Sequence, residues 1–143
     1  MGKTKWSNKW KASKQPRKQR KYRQRAPLHV RHKFLSAVLD KKLREEYGFR
    51  SLGLRTGDEV KIMRGDFRGR TGKVVRVDLK KAKVYVEGIK TKKVSGQEVD
   101  VPLEPSNLKL IKINFDDKER MKILSRKRSG KEKLKKESEK SGG

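Results

Sequence analysis

The chain has 143 residues, 43 Lys and Arg against 17 Asp and Glu, a formal net charge of +26, and 31% apolar residues. Charged residues make up 42% of it, where an ordinary globular domain has about 25%. The whole chain therefore cannot pack around one core, and one small domain with solvated or partner-held extensions is expected. The absence of Cys excludes disulfides, thiolate zinc sites and Cys nucleophiles, and no apolar run approaches the roughly 20 residues that span a bilayer.

A polyanion offsets such self-repulsion directly, by exchanging its counterions for Lys and Arg. The N-terminus is basic, but no apolar stretch follows it, so no signal peptide is expected. Met1-Gly2 lacks the Ser or Thr at position six that myristoylation needs, because Trp6 stands there. A cytoplasmic protein without membrane contact is the default.

Residues 1–33 hold 13 Lys and Arg and no carboxylate, and the first acidic residue is Asp40. Residues 34–117 carry 19 basic and 13 acidic side chains, and residues 118–143 carry 11 and 4. Half of the net charge thus lies in the first quarter of the chain. Gln15 to Arg25 shows no apolar period and, alone in water, is predicted to be disordered. Its Gln residues and Tyr22 interleave the cations and suit hydrogen bonding and stacking on bases. Trp6 and Trp10 sit four apart with nothing local to bury them. A solvated basic tail with incidental aromatics is the bland alternative, and a nuclear-localisation or heparin-type patch looks locally similar. A membrane-surface arm would need an apolar face, which residues 1–25 do not offer.

Pro27 suits the first turn of a helix, and apolar positions 28, 30, 34, 35, 38 and 39 predict one from Leu28 to Leu39. Asp40 caps a second short helix through Tyr47, and Gly48 ends it. The period then changes to two. Val60 and Ile62, Val75 and Val77, Val84 and Val86, Val99 and Val101, and the run Leu108 to Ile113 read as five short strands, each bounded by Gly, Pro, Asn or Asp. Five strands in so little chain predict a strongly bent antiparallel barrel whose closure removes its edges. Asp116, with Glu119 at the third helical position, caps a last helix through Met121, Ile123 and Leu124 to about Ser129. The expected divisions are a basic extension over 1–25, short helices over 26–50, the barrel over 51–114, a helix over 115–128 and a charged tail over 129–143.

The most informative stretch runs from Gly57 to Val77. Gly57-Asp58 opens a strand, Arg64-Gly65-Asp66-Phe67-Arg68-Gly69 forms a tight loop, and Gly72 interrupts the next strand as a bulge or close backbone approach requires. The loop exposes Arg64, Arg68 and Arg70 around Phe67. Arginine forks match phosphate oxygens, and a glycine loop lets backbone N–H groups approach RNA. Phe67 either stacks on a base or folds back as a lid on the core. Asp66 does not suit phosphate and is expected to hold the turn through its own backbone.

Other chemistry fails on inspection. Gly69-Arg70-Thr71-Gly72-Lys73-Val74 suggests a phosphate loop, but Phe67 stands at the earlier Gly position and Val74 replaces the magnesium-binding hydroxyl. Gly65, Gly69 and Gly72 lack dinucleotide spacing. His29 and His32 share a helical face among cations, where exposure or stacking on RNA is expected rather than a metal. Glu45-Glu46 and Asp116-Asp117 have basic neighbours and read as ion pairs or caps. With no nucleophile, base and orienter together, neither an enzyme nor a cofactor or small-molecule substrate is expected.

Gly57 to about Val86 resembles the KOW motif, a glycine-bearing two-strand element of SH3-like barrels. The likeness extends through Pro16-Arg17-Lys18-Gln19-Arg20-Lys21, Ala26-Pro27-Leu28-His29-Val30-Arg31-His32-Lys33, Leu43-Arg44-Glu45-Glu46-Tyr47-Gly48, Ile62-Met63-Arg64-Gly65-Asp66-Phe67, Val84-Tyr85-Val86-Glu87-Gly88 and Pro105-Ser106-Asn107. In this order the blocks resemble the archaeal and eukaryotic branch of universal large-subunit ribosomal protein twenty-four, over roughly residues 15–125. The resemblance implies a mainly β fold, a small SH3-like barrel bearing the KOW motif, with short flanking α-helices and extended basic termini. It implies a ribosomal structural protein that binds the 5′ domain of large-subunit rRNA, acts early in assembly, and lies near the nascent-peptide tunnel exit beside neighbouring ribosomal proteins. It also implies RNA contacts at Met63, Arg64, Gly65, Asp66, Phe67, Arg68 and Gly69 in the loop, where Arg70 joins them by its exposure. In the N-terminal block it implies contacts at Arg17, Lys18, Arg20, Lys21, Arg23, Arg25, His29, Arg31, His32 and Lys33. A KOW-bearing transcription or translation factor would carry a second folded domain, for which the chain has no expected room, and an RNA-modifying enzyme would need a catalytic set.

Overall fold

The computed structural model describes residues 5–128; the tail expected over 129–143 lies outside the described residues. Eight strands are found among them: β1 (Ser36–Leu39), β2 (Ser51–Gly53), β3 (Glu59–Ile62), β4 (Thr71–Asp78), β5 (Lys83–Val86), β6 (Lys90–Lys92), β7 (Glu98–Asp100) and β8 (Leu108–Lys112). Helices α1 (Pro16–Arg25), α2 (Leu28–Phe34) and α3 (Lys41–Tyr47) precede β2. A fourth, α4, runs over residues 118–128. The helices claim as much chain as the strands, so the fold is mixed rather than mainly β.

Six strands form one sheet in the order β2-β1-β8-β3-β4-β5, and β6 pairs with β7 in a separate ribbon. The expected closed barrel is not found. The end strands β2 and β5 do not pair with each other, and β1 runs parallel to β8, making the sheet mixed. Each end is covered instead by something other than a strand. Val84 and Leu103 exchange both backbone hydrogen bonds at 2.9 Å beyond β5. At β2, α4 supplies side-chain donors: Arg120 Nη2 to the Gly53 carbonyl at 3.0 Å and Lys127 Nζ to the Ser51 carbonyl at 3.1 Å. Covering an edge satisfies its peptide groups as closure would.

Period-two alternation builds the core. Val60 and Ile62 of β3, Leu108 and Leu110 of β8, and Ala37 and Leu39 of β1 point to one face and are fully buried. Each such aliphatic side chain contributes about 1.5–3 kcal/mol. In β4 the face differs from the expected one: Val74 is buried while Val75 is exposed. A register shift between Val74 and Arg76 against β5 breaks the period there. The helix predicted from Leu28 to Leu39 ends at Phe34. Ser36–Leu39 then pairs with β2 and β8, because alternate burial of Ala37 and Leu39 outweighs the helical pattern. Asp40 and Gly48 bound α3 as expected, Gly48 with φ of 78° and its N–H on the Arg44 carbonyl. The Asp40 carboxylate is engaged chiefly by Lys109 Nζ at 3.0 Å, with the backbone N–H groups at the start of α3 as weaker partners. The cap of α4 moves one residue on, with Asp117 Oδ1 accepting from the Glu119 N–H at 2.9 Å.

One buried ion pair joins the two ends of this core. Asp58 is 0% exposed and Arg120 2%. The guanidinium grips the carboxylate with two hydrogen bonds of 2.5 and 2.6 Å. Asp58 also accepts the backbone N–H groups of Arg55 and Asn114, both at 2.9 Å. The pair fastens α4, whose Leu124 and Ile123 complete the core, to the start of β3.

Candidate nucleic-acid interface

The N-terminal arm is folded. A 3₁₀ turn at Asn8–Ala12 lies against α1, and the Gln19 amide donates to the carbonyls of Trp10, Lys11 and Ser13 at 3.2, 3.0 and 2.7 Å. Trp6 and Trp10, which lack local cover in the sequence, pack with Phe34 against buried Tyr22, Ala26 and Val30. The Trp6 indole N–H donates to the Tyr22 carbonyl at 3.1 Å, and its ring lies 5.3 Å from that of Tyr22. This second core replaces the expected disorder: the apolar side chains spaced along residues 6–34 are too few for a local period but meet in three dimensions.

Folding sorts the predicted contact residues. Arg17, Lys18, Arg20, Arg23 and Arg25 are exposed along α1, with Lys21 half-buried. His29, His32 and Lys33 are exposed on α2. Two candidates have structural duties instead. Tyr22 is enclosed between Trp6 and Phe34 and does not offer its ring to a base. Arg31 donates to the carbonyls of Ala26 and Gln24 at 2.8 and 2.5 Å, tying α2 to the end of α1. His32 and Lys33 line a depression with Arg55 and Lys127 beside α4.

The glycine loop connects β3 to β4. The Ile62 N–H bonds the Arg70 carbonyl at 2.9 Å and the Gly69 N–H bonds the Ile62 carbonyl at 2.8 Å, closing its base. Gly65 and Gly69 hold φ of 97° and 87°, which L side chains seldom adopt. The turn rests on the Arg68 N–H to the Gly65 carbonyl at 3.2 Å. Asp66, expected to hold it, is exposed and makes no hydrogen bond to the backbone among the described residues. Phe67 is half-buried against the core, which selects the lid over the stacking platform, and the Arg70 guanidinium covers its ring at 5.4 Å. Met63, Arg64, Gly65, Arg68, Gly69 and Arg70 remain exposed. Gly72 packs as expected: a Cβ there would lie 2.7 Å from Val86 Cγ1 and 2.9 Å from the Glu87 carbonyl oxygen.

The structure adds cations that sequence reasoning passed over. Arg20 and Arg23 of α1 line a cleft with Lys80, Lys81 and Lys83 at the β4–β5 turn. The signal available was the Lys80-Lys81-Ala82-Lys83 run itself. The loop arginines line neither of these depressions. Among the described residues, no three His, Cys, Asp or Glu could hold a metal ion, and no helix is long and apolar enough to cross a membrane.

The family of eukaryotic ribosomal proteins L26 and their archaeal L24-type counterparts matches residues 13–127. The large ribosomal subunit protein uL24 of Methanothrix thermoacetophila is 50% identical over 114 residues, covering 80% of this chain and 98% of that protein.

Proposed function

The chain belongs to the family of eukaryotic ribosomal proteins L26 and their archaeal counterparts, and from that premise we propose that it is a structural constituent of the large ribosomal subunit that binds rRNA directly. The observation that carries RNA contact is the sorting of the arm. Trp6, Trp10, Tyr22, Ala26, Val30 and Phe34 turn inward while Arg17, Lys18, Arg20, Arg23 and Arg25 turn outward, in a stretch of chain with no carboxylate before Asp40. A fixed cationic face of this kind suits a nucleic-acid backbone, whose released counterions drive binding.

The hairpin β3–β4 with its glycine loop is the KOW element of this proposal, and the sheet around it an opened relative of the SH3-like barrel. Arg64, Arg68 and Arg70 reach phosphates there, while the backbone at Gly65 and Gly69 allows close approach. His29, His32 and Lys33 extend the arm's surface. Finer expectations follow from the family: contact with the 5′ domain of the rRNA, an early role in assembly, a place near the tunnel exit, and neighbouring ribosomal proteins as further partners. Exposed Phe115 and Met121 suit such a protein neighbour.

The test measures affinity for large-subunit rRNA across a salt series. Arg64→Ala with Arg68→Ala should weaken binding and lower the slope of log K against log salt by about 1.4–1.8, the loss of two phosphate contacts. Its thermal unfolding should match the parent protein, because both side chains are exposed. An unchanged slope would remove the loop from the interface, and absence of rRNA affinity at low salt would overturn the proposal.

A further inference from the structure

The cleft between α1 and the β4–β5 turn is shaped for something smaller than an RNA helix. Its volume is about 470 Å³, within the range of pockets that enclose a single small molecule. Arg20, Arg23, Lys80, Lys81 and Lys83 line it. The one carboxylate in the lining, Glu104, is paired with Lys83 at 2.7 Å and also feels the charge of Arg23, so the cleft keeps more positive than negative charge. Apolar surface comes from Phe34, Leu79, Ala82 and Pro105, and uncharged polar groups from Gln24, Ser36 and Ser106.

The turn that presents the lysines has a fixed shape. Asp78 Oδ1 accepts the backbone N–H groups of Lys80 and Lys81 at 3.0 and 3.1 Å. Ala82 holds φ of 53°, the left-handed region that an L side chain seldom occupies outside a turn. Such a conformation persists where surrounding structure determines it, and it recurs where a segment must present groups in one geometry.

Apolar walls, uncharged hydrogen-bonding groups and an excess of cations together match a nucleotide rather than a bare anion: a base needs a surface to lie on, its edge needs donors and acceptors, and its phosphate needs charge. A paired base cannot enter, because its faces and edge are already engaged in the helix. We propose that this cleft receives one unpaired nucleotide of the bound RNA. The site rests on the RNA-binding reading above and adds to it a preference for a helix interrupted by a bulge.

The probes are a fully paired RNA hairpin and the same hairpin with one bulged adenosine, each titrated with the full chain at fixed salt. The parent protein should favour the bulged RNA about tenfold, within the range that stacking one base supplies. Lys80→Ala with Lys81→Ala, and separately Ser106→Trp, which fills the cleft without altering charge, should each abolish that preference. Both variants change exposed positions, and circular dichroism melts verify their folding. Arg64→Ala with Arg68→Ala should weaken both RNAs alike and keep the preference. Survival of the preference in either cleft variant, or its loss in the loop variant, overturns the assignment. Equal binding of the two RNAs by the parent protein overturns the cleft and leaves the RNA-binding reading standing; failure to bind either removes both.

Discussion

Replacing Arg120 by Leu should destabilise the domain more than any surface change to this chain. The substitution removes the guanidinium and leaves Asp58, 0% exposed, as a buried carboxylate with two backbone N–H donors and no countercharge. Breaking a buried pair from one side costs about 3–5 kcal/mol, a large share of the roughly 5–15 kcal/mol that holds typical domains folded. The same side chain also donates to the carbonyls of Gly53 and Asn114, at 3.0 and 3.2 Å, so the edge of β2 loses one of its two side-chain donors with it. Asp58→Asn together with Arg120→Met should be milder than Arg120→Leu alone. It removes both charges, and one backbone N–H loses its acceptor at about 1–3 kcal/mol. Urea unfolding followed by far-ultraviolet circular dichroism measures both, since Trp6 and Trp10 report on the arm rather than this core. A loss below about 1 kcal/mol in Arg120→Leu, the range of exposed pairs, would refute the view that this pair fastens α4.

Three smaller perturbations separate the parts. Gly72→Ala brings a Cβ to 2.7 Å from Val86 Cγ1 and should cost about 1–3 kcal/mol of stability through overpacking, read as a lower melting temperature. Tyr22→Ala should unpack the arm's small core, shifting Trp emission to the red while the melt of the main sheet changes little. Lys109 holds the Asp40 carboxyl below its ordinary value of 3.8, chiefly by a hydrogen bond. A depressed carboxyl stabilises fully above that value and loses its contribution as pH falls through the lower folded value. Asp40→Asn should therefore reduce the acid sensitivity of stability below pH 3.8, and an unchanged pH profile would show that the pair contributes nothing.

The stretch from Gly57 to Gly72 is legible in the sequence because its signals are local: alternating Val60 and Ile62, glycines at the loop, and Gly72 at a close approach. What escapes depends on distant partners. Ser36–Leu39 continues a helical apolar pattern, and only pairing with β2 and β8 makes it a strand. Asp58 and Arg120 each look like one more charge in a charged chain, and their bond joins residues 62 apart in sequence. Tyr22 and Arg31 are chemically suited to RNA, yet the fold uses one as core and the other as a clasp. The exposed arginines of α1 and the glycine loop keep the placement that charge alone dictates.

The parallel pairing of β1 with β8 sets an order of events during synthesis. Val38 meets Lys109 and Leu39 meets Leu110, so β1 finds only β2 beside it until nearly the entire domain has left the ribosome that makes it. Contacts between such distant segments form late and slowly. The arm and its small core, by contrast, involve only neighbours in the chain, which makes the cationic face the earliest surface a growing molecule can present.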